Sequence, residues 1–541
     1  MCAMSFIAVA AVLSTMHYEG DVTTDGGDYV NVAVAVPAGA VECDIAHSYS
    51  SSSNYAILDW GAWAPDGSFR GWGGGNTEDA ILGVAQSSRS YLPGPLTAGM
   101  WTVVIGKAKL DATGAHYTID VTCTDTATLP VLSKADYMPV VLSSERRWYK
   151  GDFHVHSVQS GDAKATFDQI TSLATTRGLD FINMSDHNTT AQHALVAALQ
   201  PSLPNFLIMR GAEITTYSGH GNAVGIHDYV DHRLGNNNRD VAGIVADVTA
   251  QGGIFIVNHP MLDLGNACIG CAWKHVDDTP WAQVSAMEII TGNYDVGISA
   301  FVPRVLTLWD MLEDQGFRIA AVAGSDDHLA GINESATGSQ IGSPTTRVLA
   351  DNLSEAAIID AVKHGRTMVD LRGPDDPLVE FTLRKKDGTE GEIGDDVDGI
   401  SNSHVSVHVV GGTGDFILLI RDGQKIAQKA VTSADFKATF DDVPHKEAHR
   451  YRIELIDDGN NPLVITSHIY VQGVAGSSSG CGCQSGEPGG LGGVLVVLYA
   501  LNAAGSRPWR WSRRRKLVRS SPDSRAASDT EPLAFSMTRR K

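Results

Sequence analysis

From residue 17 to about 125, apolar and polar side chains alternate. Tyr29-Val-Asn-Val-Ala-Val-Ala-Val36, Trp101-Thr-Val-Val-Ile105 and His116-Tyr-Thr-Ile-Asp-Val-Thr122 follow the period of two, with Gly, Ser and Asp turns between them. This predicts an N-terminal β-sandwich over 17–125, followed by a Pro-containing linker over 126–148. Between 149 and 373 the pattern changes to short apolar runs alternating with helical segments. The runs include Phe181-Ile-Asn-Met184, Phe206-Leu-Ile-Met209, Ile254-Phe-Ile-Val257 and Ile319-Ala-Ala-Val322. Val241, Ile244, Val245 and Val248 recur at helical spacing, as do Val305, Leu308, Trp309 and Leu312. Gly178, Gly252, Gly316 and Gly365 fall where helices should end, and Ser354 ahead of Glu355 reads as an N-cap. Repeating strand–helix units predict parallel strands with helices outside, as an open doubly wound sheet or a barrel. From 374 to 473 the strand pattern returns, in Leu378-Val-Glu-Phe-Thr-Leu383 and Tyr451-Arg-Ile-Glu-Leu-Ile456 among others, and predicts a second sandwich. The fold class expected is multidomain, α/β plus all-β.

The two ends of the chain differ from this. Met1 to Leu13 has an apolar core of signal-peptide length without a basic start, which reads as a signal-peptide remnant over 1–16 or as a first strand. Residues 474–541 hold a Gly/Ser linker, Cys481-Gly-Cys483, an apolar segment from Leu491 to Ala504 and the basic cluster Arg513-Arg-Arg-Lys516. The apolar segment is short for a bilayer, which needs about 20 residues, yet its positive flank suits an anchor or sorting signal.

A length of 541 residues implies several domains, and a hydrophobic fraction of 43% supports real cores. The net charge of −21 argues against a nucleic-acid duplex as partner, because a phosphate-binding groove needs clustered basic residues. Seven cysteines are too few for a disulfide scaffold of this length. Cys43 and Cys123 would pair across the first sandwich in an oxidising compartment, or stay as buried thiols. Cys268-Ile-Gly-Cys271 lacks a second CxxC to complete a zinc knuckle, so a loop disulfide or free thiols is the expectation.

The candidate chemistry lies at the ends of the apolar runs of 149–373. One strand carries Gly151-Asp-Phe-His-Val-His-Ser157, and others end in Ser185-Asp186-His187-Asn188, Glu213 with His220 soon after, Asn258-His259-Pro260, and Gly324-Ser-Asp326-Asp-His328. An HxH alone is weak in a chain with 19 histidines. The shared placement is not, because the carboxyl ends of parallel strands converge on one face, where active sites are built. His154 and His156 alternate on one strand and so face the same side. Imidazole and carboxylate without thiolate suit Zn²⁺, Mn²⁺ or Fe²⁺, and the ligand count exceeds what one ion takes, so two or three ions are expected, with Glu213 bridging. Arg210, Lys164 and Arg347 are candidates to meet an anionic group.

These motifs, with Leu179-Asp-Phe-Ile-Asn-Met-Ser-Asp-His-Asn188 and Gly211-Ala-Glu-Ile-Thr215, resemble the PHP (polymerase and histidinol phosphatase) metal-dependent hydrolases over 149–373. Ile341-Gly-Ser-Pro-Thr-Thr346 and Gly365-Arg-Thr-Met368 look like the CehA/McbA-type, carbaryl-hydrolase-like branch. The resemblance implies a distorted seven-stranded (β/α) barrel. It implies that His154, His156, Glu213 and Asp326 hold one ion, Glu213, His220 and His259 a second, and His187 and His328 a third. The family's usual Asp five residues after the second His of the HxH is here Gly161, and the acid is Asp162. Asp186 would lie behind these ligands, orienting His187 or the attacking water, with Glu213 and His328 in the catalytic machinery. The tail resembles a MYXO-CTERM sorting signal, which implies export and attachment to the cell surface or outer membrane.

The function implied is a metal-dependent hydrolase in which metal-bound hydroxide attacks a phosphomonoester or phosphodiester of a small molecule. Ester, carbamate or amide cleavage on the same metal centre is the alternative, and a catalytically inactive surface binding protein is the rival of a different class.

Overall fold

The computed structural model describes residues 11–52, 55–265, 268–332, 338–398, 403–442 and 448–473. Residues 1–10 and the expected linker, Cys481-Gly-Cys483 motif, anchor and basic cluster over 474–541 lie outside the described residues. Among those described, no helix is long and apolar enough to cross a membrane.

The N-terminal alternation becomes two four-stranded antiparallel sheets. One runs in the order Val12–Val22, Ala115–Thr124, Glu42–Ser50, Ala80–Gly83, and the other Tyr29–Val36, Gly99–Lys109, Ile57–Trp63, Phe69–Gly74. Ile45, Leu82, Ile119 and Val121 of the first meet Val34, Trp101 and Ile105 of the second in a dry core. The first strand begins at Val12 and Met16 lies opposite Val121, so residues 12–16, expected as the end of a signal-peptide remnant or as a first strand, are strand. Cys43 and Cys123 form a disulfide, but between directly opposed residues of neighbouring strands in one sheet, not across the sandwich.

The central region is built on two further sheets. In one, Arg147–Val155, Phe181–Met184 and Leu207–Met209 run parallel. In the other, Ile254–Val257, Ala286–Thr291 and Ala320–Gly324 run parallel, while Gly211–Thr216 and Gly219–Val224 form an antiparallel hairpin. The hairpin breaks the uniform strand–helix repeat expected over 149–373, because the connection Tyr217-Ser218 is far too short for the crossover that parallel strands need. Backbone hydrogen bonds join the two sheets at both edges. On one side Glu213 N–H donates to Ser185 O at 3.1 Å and Asn188 N–H to Glu213 O at 2.9 Å. On the other, Asp326 N–H donates to His154 O at 2.8 Å and His156 N–H to Asp327 O at 2.9 Å. The helices Val241–Ala250 and Val302–Asp314 pack on these sheets through the stripes read in the sequence; Glu355–Lys363 packs through Ile358, Ile359 and Val362, and Ser354 does cap it, accepting from Ala357 N–H.

The C-terminal β region is two facing sheets around Phe381, Val407, Leu419 and Ile453, but it is not a separate body. Thr367–Asp370 pairs with Pro462–Thr466, so one of its sheets continues the central one. The whole is a mixed α/β, multidomain architecture rich in sheet, with few helices among the described residues.

Candidate metal centre

Strand ends bring every candidate ligand to one place. His154 and His156 follow one another on the same side of Arg147–Val155 and the residue beyond it, Glu213 and His220 sit on the two arms of the hairpin, and His187, His259, Asp326 and His328 lie just past their strands. Gly324 makes the convergence possible, since a Cβ there would lie 2.2 Å from His154 Cβ. Asn188 (φ 51°), His259 (φ 29°) and Asp326 (φ 56°) hold left-handed backbone at these strand ends. Such conformations cost energy for side chains with a Cβ and cluster where a site needs a particular aim.

Glu213 is the hub. Its Oε1 lies 3.3 Å from His154 Nε2, 3.3 Å from His259 Nε2 and 3.5 Å from His220 Nδ1, and its Oε2 lies 2.8 Å from His187 Nδ1. Asp326 Oδ1 is 3.3 Å from His154 Nε2 and 3.1 Å from His156 Nε2. Asp162 Oδ2 is 3.5 Å from His187 Nε2 and 3.4 Å from His328 Nε2. Two ligands each about 2.1 Å from a tetrahedral ion are about 3.4 Å apart, so these separations match edges of a coordination polyhedron. Donor atoms group as His154–His156–Asp326, as His154–Glu213–His259 and as His156–His187–His328. A further group adds Cys271 to His220 and His259, but its sulfur is joined to Cys268 in a loop disulfide.

The outer nitrogens explain the aim. His154 Nδ1 bonds Glu288 Oε1 at 2.9 Å, and His156 Nδ1 bonds Ser160 Oγ at 3.0 Å. His259 Nδ1–H donates to Cys271 O at 3.0 Å, His220 Nε2–H to Ile269 O at 3.1 Å and His328 Nδ1–H to Asp326 O at 2.9 Å. The turn closed by Cys268–Cys271 thus supplies both carbonyls that orient His220 and His259. A neutral ring that donates outward turns a lone pair inward. His154 Nε2 and His156 Nε2 are buried and have no hydrogen-bond partner. Inward lone pairs facing carboxylate oxygens repel unless a cation lies between them, so the donor set fits divalent ions.

The electrostatics agree. Burial opposes charge on His154, but Asp326, Glu288 and Glu213 hold its pKa well above the ordinary value. His187 is raised in the same way, against burial, by Asp162 and Glu213. Burial works against the Glu213 carboxylate, yet His154 and His220 hold it well below its usual range. His156 is pushed down to about 3 by burial and by the neighbouring His328 and His187. The acids call for positive charge among them.

Asp186 departs from expectation. Its fully buried carboxylate accepts from Ser157 N–H at 2.7 Å, Ser157 Oγ at 2.8 Å and Ser160 N–H at 3.1 Å, and it does not meet the His187 ring. Burial pushes it up to about 6, with the Ser157 bonds opposing. It fixes the 157–160 turn, and Ser160 Oγ in turn bonds His156 and accepts from His187 N–H at 3.0 Å. Arg210 and Arg347 are engaged elsewhere, with Glu355 and Asp370, each at 2.6 Å. Lys164 is exposed and does not line the cavity beside the cluster.

Sequence reasoning missed Glu288, which bonds His154 Nδ1, His259 N–H at 2.8 Å and the Thr291 hydroxyl. The available signal was a carboxylate inside the apolar run Ala286-Met-Glu-Ile-Ile290. It also missed that the N-terminal sandwich borders the cluster. A Cβ at Gly161 would lie 2.3 Å from Gly73 O, so the sandwich strand Phe69–Gly74 leaves room only for glycine at the place where the resemblance led to an expected Asp, and Asp162 reaches His187 and His328 from the next position. The cavity of about 550 Å³ over the cluster is walled by both domains, and among the described residues no Lys or Arg lines it.

No protein-family model and no curated protein matches the chain. Among solved structures, it is similar to a two-domain protein of Bacteroides vulgatus containing a predicted PHP-like metal-dependent phosphoesterase, at 16% identity and a TM-score of 0.35, over 63% of this chain and 100% of that one. It is also similar to a protein of Bifidobacterium adolescentis assigned as a metal-dependent phosphoesterase, at 14% identity and a TM-score of 0.27, over 35% of this chain and 91% of that one.

Proposed function

We propose that the protein is a metal-dependent hydrolase of the PHP type, its two central sheets closing as a distorted seven-stranded barrel, and that it cleaves small phosphomonoesters or phosphodiesters. The observation that carries this is the set of His154, His156, His220 and His259 rings, each bonded outward through one nitrogen and aimed inward at Glu213 or Asp326 through the other, with no Lys or Arg paired to these acids among the described residues. His154, His156, Glu213 and Asp326 would hold one divalent ion, Glu213, His220 and His259 a second, and His187, His328 and Asp162 a third. Zn²⁺, Mn²⁺ and Fe²⁺ suit these donors. When bound, such ions supply Lewis acidity and lower the pKa of water.

The chain's own residues do the rest. Glu213 presents Oε1 to His154, His220 and His259 and Oε2 to His187, and so ties these rings together. Glu288, Ser160 and the Cys268–Cys271 turn fix the rings before substrate arrives, so little reorganisation is left for the reaction. His187 and His328, about a quarter exposed where the other histidines are buried, mark the side on which water and substrate enter. In the reaction a water oxygen bonds to phosphorus, the ester P–O bond breaks, and the leaving alcohol takes up a proton.

The absence of Lys and Arg from the described cavity lining favours a second reading, carboxyl-ester, carbamate or amide cleavage, since no fixed cation is assigned to phosphoryl oxygens. Two disulfides, Cys43–Cys123 and Cys268–Cys271, support an exported, surface-associated location. The test is turnover of p-nitrophenyl phosphate, bis(p-nitrophenyl) phosphate and p-nitrophenyl acetate by Zn-, Mn- or Fe-loaded protein, with and without chelator. Chelator-sensitive phosphoester turnover is expected. Turnover of the acetate alone selects the second reading, and no turnover of any of the three, nor of sugar or aminoalkyl phosphates, overturns the hydrolase in favour of a surface binding protein.

A further inference from the structure

The cavity beside the metal centre is half built by the N-terminal sandwich, and the residue there with an unmet task is Asp59. It lies on the strand Ile57–Trp63 and faces the same cavity as Asp162, His187 and His220. His187 and Asp162 are near enough to act on its charge. Its Oδ2 accepts from the Tyr217 hydroxyl at 2.9 Å, and Oδ1 has no hydrogen-bond partner among the described residues. Burial pushes the carboxyl up to about 6 while the Tyr217 bond pulls it down, so it is largely ionised at neutral pH. No Lys or Arg answers it within the described lining, where the His187 ring is the group that favours its charge. Arg89, beside Asn76 of the cavity wall, is engaged with Glu78 at 2.9 Å, Asn76 Oδ1 at 3.2 Å and Ala163 O at 3.1 Å.

A half-buried carboxylate oxygen open to a substrate cavity is an acceptor waiting for a donor, and its negative charge disfavours a second anionic group placed beside it. We propose that Asp59 is a specificity-determining residue: its Oδ1 accepts a hydrogen bond from a hydroxyl or amine on the leaving group of the ester, so the preferred substrates are esters of uncharged or cationic, donor-bearing alcohols and polyanions are rejected. This rests on the hydrolase reading above. The sandwich then selects the substrate that the strand-end cluster cleaves. A site built to meet a substrate donor discriminates strongly against an analogue that lacks it, because the acceptor is then left buried and unpaired.

The test compares kcat/KM of the full metal-loaded chain on four phosphomonoesters: p-nitrophenyl phosphate, which has no donor; a sugar monophosphate, with hydroxyls; an aminoalkyl phosphate, with an amine; and a sugar bisphosphate, with a second anionic group. In Asp59→Ala the preference for a donor-bearing substrate over p-nitrophenyl phosphate should fall about tenfold. The substrate whose preference falls furthest identifies the donor as hydroxyl or amine. Asp59→Asn keeps the shape and removes the charge, so it should relax the rejection of the bisphosphate about threefold even if the alanine variant folds poorly. Metal content, measured alongside, should match the wild type. Unchanged selectivity in both variants, with the wild type active, overturns the assignment of Asp59 and leaves the hydrolase standing. A wild type that cleaves none of the four, and none of the esters above, brings down the hydrolase reading itself.

Discussion

Two buried charged clusters in this molecule have opposite designs. Where the helix Val302–Asp314 meets the C-terminal sheets, Arg452 is bonded to Asp310 at 2.6 Å and Glu454 at 2.8 Å, and Arg450 to Asp314 at 2.7 Å. Charge there is answered within the chain. At the strand ends, Glu213 and Asp326 face nitrogens of His154, His156, His220 and His259, whose other ring nitrogens are engaged outward, and no Lys or Arg pairs with these acids among the described residues. The first arrangement is complete as a protein and reads as structure. The second is complete only with cations supplied from outside, and that difference separates a site from a buried salt-bridge network.

The comparison can be broken most severely at its hub. Glu213→Gln should lower chelator-sensitive turnover by about a thousandfold or more and reduce bound metal in the same sample, while urea unfolding stays cooperative. On the other side, Arg452→Met should cost up to about 3 kcal/mol in urea unfolding by removing the nearer of the two arginines that answer half-buried Asp310, with metal per folded chain unchanged. If Arg452→Met instead removed metal, the two clusters would not be separate in purpose.

A subtler contrast lies in Glu313, in the structural cluster. Burial raises its pKa to about 7, opposed by the Ile319 N–H bond, so the folded chain holds this proton more tightly than the unfolded one. Its contribution is therefore fully present below the unfolded value near 4.5 and is lost as pH rises through about 7. Urea unfolding at stepwise pH should show up to about 3 kcal/mol of this decline, absent in Glu313→Gln. The smallest effect expected is at the turn that orients His220 and His259. Cys268→Ser with Cys271→Ser should weaken metal binding by about 10–100-fold, while removal of Cys43 and Cys123 should leave metal affinity unchanged.

What the sequence disclosed follows from the range of the forces involved. Strand ends, the HxH and the acids are local features, and all nine candidate ligands lie at the cluster the motifs pointed to. The helix stripes Val241–Val248 and Val305–Leu312 were equally local, because periodicity needs only a few turns of chain. Contacts between distant segments were not legible. Glu288 looked like part of a buried strand, and its task is set by His154, far away in sequence. Asp186 looked like a ligand's neighbour, but the turn of Ser157 to Ser160 takes its carboxylate. Gly161 looked like a lost ligand until Gly73 was seen against it, and Asp59 gave no signal in a strand-rich stretch of ordinary alternation. The Cys43–Cys123 bridge was foreseen as a pair but not as neighbours in one sheet, since register is decided by the whole sandwich.

The central claim is that the strand-end cluster holds divalent cations through inward lone pairs. Anomalous diffraction from crystals grown with Zn²⁺ or Mn²⁺ tests it most directly. Peaks flanking Glu213, one beside Asp326 with His154 and His156 and another beside His220 and His259, are the predicted result. Ordered water alone among these side chains, in protein exposed to either ion, would contradict it.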